Sequence, residues 1–114
     1  MIKVKKLVKS FRHSLIGLKE AFHREQNFRI MLALVLASLA LVFWWPMEGW
    51  QKAAVIIAGS LMLAVELINT ALEKAMDILL PASLEEIRIL KDMMAGAALM
   101  VSVGWLMILV LSII

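Results

Sequence analysis

The 114-residue chain contains no cysteine. That excludes a disulfide framework, thiolate chemistry and cysteine-ligated zinc. It also has no G-x-x-x-x-G-K-[ST], no G-x-G-x-x-G and no G-x-S-x-G, so a P-loop, a dinucleotide fingerprint and a serine nucleophile elbow are all missing. There is no internal repeat, no low-complexity tract and no Pro/Gly/Ser linker, and one domain over residues 1–114 is expected. The two histidines, His13 and His23, stand at a spacing that does not suit a shared metal, and read as interfacial groups.

What the chain has in quantity is apolar surface. It is 63% hydrophobic, with a mean hydropathy of +0.92. A soluble domain of this length could not hide so much, because its surface-to-volume ratio is too high. The bilayer is the expected solvent.

Charge is scarce and unevenly spread. Eight of the twelve Lys and Arg fall in the first 29 residues, from Lys3 to Arg29. Because charges continue that far, no cleaved signal peptide is expected. Residues 3–24 read as an amphipathic helix. At about 100° per residue, Val4, Leu7, Val8, Phe11, Leu15, Leu18 and Phe22 share an arc of roughly 100°. A basic helix of this kind suits the headgroup plane of a membrane.

Three apolar segments follow, over about 28–47, 51–72 and 92–114, each near the roughly 20 residues that cross a bilayer. WWPMEGW, residues 44–50, joins the first two. Pro46 and Gly49 break the helix there, and Trp44, Trp45 and Trp50 form an expected aromatic belt. Gly59, Ser60 and the Ala95–Ala98 patch are small enough for helices to approach closely. The expected architecture is therefore an all-α integral membrane protein, with a surface helix and three transmembrane helices. Three spans offer little surface around a polar site, so a homo-oligomer is expected. Lys74, Arg88 and Lys91 in the second connection join the basic N-terminus, against Lys52 alone in the first connection. This places the N-terminus in the cytoplasm.

The informative stretch is VELINTALEKAMD, residues 65–77. On a helix Glu66, Asn69, Glu73 and Asp77 project from one face, with Glu66 deepest and Asp77 nearest the cytoplasm. An ionised carboxylate at that depth is costly without a partner, a cation or a proton. The structural alternative is a protonated Glu66 bonded to a neighbouring helix. With Lys91, the stripe offers hard oxygen donors suited to Mg²⁺ and a cation suited to phosphate.

ELINTALEKAMD, the later Lys91–Asp92 pair before MMAGAA, and the upstream KSFRHSLIGLKEAF and EQNFRI together resemble the prokaryotic diacylglycerol kinase family, whose Gram-positive branch is associated with undecaprenol kinase activity. The resemblance implies a homotrimer in the bacterial inner membrane that transfers the γ-phosphoryl of ATP to a lipid alcohol, with no nucleic-acid partner. It implies Glu66 as catalytic base, Glu25 and Glu73 as carboxylates for the ATP-bound Mg²⁺, Asn69 and Asp77 as supporting groups, and Lys91 and Asp92 as a nucleotide-binding pair. Lys6 matches an Arg near the N-terminus of the enteric enzymes, and His13 a Tyr of their surface helix. Both join the implied ATP-binding set. Ile30 and Met31 replace polar residues of the enteric enzymes, and Ala82, Ser83 and Leu84 replace a Glu-Tyr-His run. Apolar Ile30 leans toward undecaprenol over diacylglycerol. Two rival readings are a proton-coupled transporter with Glu66 as carrier carboxylate, and a scaffold whose basic helix binds anionic lipid.

Overall fold

A computed structural model describes residues 1–81 and 83–114. The four helices in chain order are α1 (Val4–Arg24), α2 (Gln26–Trp44), α3 (Gly49–Leu79) and α4 (Glu85–Ile113). All three apolar helices are long enough and apolar enough to cross a membrane. Helix α1 is different in kind. Its basic and apolar residues lie on opposite faces, and none of its side chains is buried. Val4, Leu7, Val8, Phe11, Leu15, Leu18 and Phe22 are all exposed on the apolar side.

Helix α3 is the central element and packs against both α2 and α4. Their shared core is Val35, Ala58, Met62 and Trp105, flanked by Met31, Leu63 and Val101. Gly59 sets how closely the helices meet. A Cβ there would lie 3.2 Å from Val35 Cγ1 and 3.5 Å from Trp105 Nε1. Buried Ser38 satisfies its hydroxyl within its own helix, donating to the Val35 carbonyl at 2.7 Å. Such back-bonding is how a hydroxyl is accommodated where no water can reach it.

Each corner has a local cause. Helix α2 ends at Trp44, ahead of the expected limit at 47. Trp45 is extended before Pro46, as the residue preceding proline prefers. Helix α3 starts with a capping box, in which the Glu48 N–H donates to Gln51 Oε1 at 2.8 Å. Trp50 Nε1 donates to Glu48 Oε2 at 2.6 Å, and Trp45 Nε1 donates to the Ile113 carbonyl at 3.2 Å, tying the two tryptophans to helix ends.

The connection between α3 and α4 is shorter than the charged 74–92 stretch implies, because helix fills most of it. With 31 residues, α3 is about 46 Å long, well beyond a bilayer's roughly 30 Å hydrocarbon core. Its last turns meet the first turns of α4 through the Asp77–Lys91 ion pair, and these paired helix ends form two charged stalks. In the α4 stalk Arg88 bridges Glu85 and Asp92, at helical spacings of three and four residues. That contact holds the Glu85 carboxyl below the usual carboxylate range. Of the loop substitutions noted above, Ala82 lies outside the described residues. Ser83 is in a turn and Leu84 is the extended N-cap of α4.

Candidate active site

The site begins at the corner between α1 and α2. Glu25 is extended there, with φ −116° and ψ 111°, so its side chain leaves the helical register of both neighbours. Arg29 fixes the corner by donating from Nη1 to the Phe22 carbonyl at 2.8 Å and to the His23 carbonyl at 3.1 Å. Those carbonyls are among the four a helix end leaves unpaired, so a first-turn residue of α2 caps α1.

Glu66, Asn69 and Glu73 extend from α3 toward the same place. With Glu25, Asn27, Met31, Thr70, Ala95 and Ser102 they line an open cavity of about 450 Å³. Glu66 is the deepest and is buried, while Asn69 and Glu73 are half-buried. Seven residues separate Glu66 from Glu73, two turns or about 10 Å along the axis. The cavity therefore grades from a buried carboxylate to a half-exposed one. Asn69 Oδ1 is buried without a hydrogen-bond partner, an acceptor left open beside this cavity. An unsatisfied acceptor is costly where water is scarce, which makes it a natural ligand for a cation or a donor.

Asp77 continues the stripe one turn beyond the cavity. It pairs there with Lys91 of the α4 stalk. Lys91 and Asp92 do not line the cavity. Ala95 does, and Lys91 lies one turn before it on the same side of α4. Asp92 is held instead by Arg88 at 2.9 Å.

Two further cavities adjoin the first. An apolar one of about 340 Å³, walled by Ile30, Leu34, Met62, Val103, Trp105 and Leu106, shares Met31, Leu99 and Ser102 with it. On the other side of Glu25, a cavity of about 300 Å³ lies between α1 and α3, lined by Gly17, Glu20, Arg24, Thr70 and Lys74. Glu25 and Thr70 line both this cavity and the carboxylate cavity.

Lys6 and His13 are exposed on α1 and line none of these cavities. They do share a face with Gly17, Glu20 and Arg24, all within an arc of about 60°, so their stripe points along α1 to the cavity beside Glu25. Thr70 and Lys74 were not among the expected site residues, Lys74 having counted only toward the orientation of the chain. The signal for Thr70 was its position one turn after Glu66. None existed for Lys74, whose partner Glu25 is 49 residues away and bonded at 2.9 Å.

The donor set fits Mg²⁺ in kind: two carboxylates and an amide oxygen, all hard oxygens. Among the described residues no group of three or more His, Asp or Glu is gathered closely enough to hold a metal alone. That is compatible with a cation that takes one or two carboxylates and completes its octahedron with phosphate oxygens and water.

Fold and site together define a small multi-span membrane protein with a carboxylate-lined cavity near one end of its helices. The family profile described as prokaryotic diacylglycerol kinase matches residues 12–113. The chain is also 32% identical over 99 residues to a diacylglycerol kinase of Synechocystis sp., an alignment covering 86% of this chain. It spans 57% of that curated relative's length. This chain belongs to the prokaryotic diacylglycerol kinase family. Every implied site residue except Lys6 falls within the matched segment.

Proposed function

We propose that the chain is a membrane lipid kinase, transferring the γ-phosphoryl of ATP to the hydroxyl of undecaprenol or diacylglycerol. The observation that carries this reading is the convergence of Glu25, Glu66, Asn69 and Glu73 on one cavity in a chain of this family. Glu66, buried next to an apolar cavity, accepts the proton of the lipid hydroxyl. Glu25 and Glu73 hold the cation that accompanies ATP, with Asn69 Oδ1 in support. Bound Mg²⁺ supplies positive charge to the phosphates as the γ-phosphoryl leaves. Lys91 and Asp92 bind nucleotide from the stalk side, and Asp77 orients Lys91. Lys6 and His13 extend the nucleotide site along α1.

The apolar wall that includes Ile30 suits a hydrocarbon chain, and we take undecaprenol as the leading acceptor. In this reading residues 1–114 act as a single unit of a homotrimer in the bacterial inner membrane, with the three spans carried by α2, α3 and α4. The basic N-terminus and the stalks face the cytoplasm, where ATP is. The test offers each lipid separately in mixed micelles, with ATP and Mg²⁺, to the purified protein. Formation of the lipid monophosphate is expected, faster with undecaprenol. ATP-independent solute flux from reconstituted vesicles, with no lipid phosphate, would favour the transporter instead.

A further inference from the structure

Glu73 and Lys74 are consecutive, so on α3 they point about 100° apart. Glu73 faces the carboxylate cavity, while Lys74 faces the cavity between α1 and α3. Glu25 lines both, and its Oε1 lies 2.9 Å from Lys74 Nζ. The carboxylate proposed to meet the cation is therefore engaged by an ammonium from the other side. The same small cavity carries a second cation, Arg24, bonded to Glu20 at 2.8 Å. Lys74 is exposed, and its four-carbon stem lets the head move several ångströms at little cost.

We propose that Lys74 is a phosphate-binding residue that exchanges partners. Without nucleotide it neutralises Glu25. When Mg²⁺-ATP arrives, Glu25 turns to the cation, and the released Lys74 ammonium bonds a phosphate oxygen of the nucleotide from the α1 side. This rests on the kinase reading and adds a residue to that site. One cation replaces another beside Glu25, so its carboxylate has a positive partner both before and after the exchange.

The exchange predicts effects of opposite sign for two ligands. In Lys74→Met the methylene stem is largely kept and the charge is lost. Apparent KM for ATP should rise about tenfold, the scale of one charge-assisted hydrogen bond, with kcat changed much less. Mn²⁺ alone, followed by electron paramagnetic resonance, should bind about two- to fivefold more tightly, because an exposed competing cation has gone. Lys74→Arg should keep the ATP affinity near that of the wild type. A merely structural ion pair would lower thermal stability and leave Mn²⁺ affinity unchanged or weaker. Unchanged KM in a Lys74→Met protein that still phosphorylates lipid overturns the exchange and leaves the kinase intact. A wild-type protein that phosphorylates neither lipid removes the kinase reading, and the phosphate role of Lys74 with it.

Discussion

Replacing Glu66 with Gln removes the proposed proton acceptor while keeping the shape of a buried side chain, which is 5% exposed. General-base catalysis contributes about 100- to 10,000-fold, so kcat should fall by that range, or about 3–5 kcal/mol of barrier. ATP affinity should barely change. Of the two carboxylates proposed to meet the cation, Glu73 is two turns away, about 10 Å along α3, and Glu25 reaches the cavity from a different corner. Stability should hold or rise, since the substitution takes a potential charge out of a buried position. The assay is steady-state lipid phosphorylation in mixed micelles with ATP and lipid varied separately, alongside thermal unfolding and oligomer size. A loss of less than tenfold in kcat, from a folded protein, would refute Glu66 as the base. So would a rise in the KM for ATP that accounts for the whole loss.

Glu73→Gln should act differently, raising the Mg²⁺ needed for half-maximal rate by about tenfold through loss of one charged ligand, as a Mg²⁺ titration at fixed ATP would reveal. Equal, mild effects from the Glu66 and Glu73 variants would contradict the division of roles. Gly59→Val should destabilise the three-helix core by about 1–3 kcal/mol, because even its Cβ would lie 3.2 Å from Val35. Val35→Ala in the same chain should return part of that loss in detergent-induced unfolding, and no recovery would place the cause elsewhere.

Much of the fold was legible because lipid imposes simple patterns. The α1 amphipathicity and the three apolar runs each have one dominant period or none, and each became a helix. The stalks were harder to read. Pro81 and the charges of residues 74–92 look like a connection, yet Arg88 with Glu85 and Asp92 is helix-supporting spacing. In the stripe from Glu66 to Asp77, three members reached one cavity and Asp77 turned to Lys91. A helical wheel gives the face but not the neighbour. The Glu25–Lys74 contact was illegible for the same reason, since it depends on how the corner after α1 folds back over α3. Lys6 and His13 stay apart from the cavity in a single chain, and only their shared face on α1 connects them to it.

The most direct measurement counts products in one tube. The purified protein would receive Mg²⁺ and ATP labelled at the γ-phosphate, with undecaprenol or diacylglycerol, and ADP and labelled lipid phosphate would be quantified together. The account predicts that they appear in equal amounts, and that with Glu66→Gln both fall together by about 100- to 10,000-fold. ADP without labelled lipid, or no turnover with either lipid from folded wild-type protein, would contradict it.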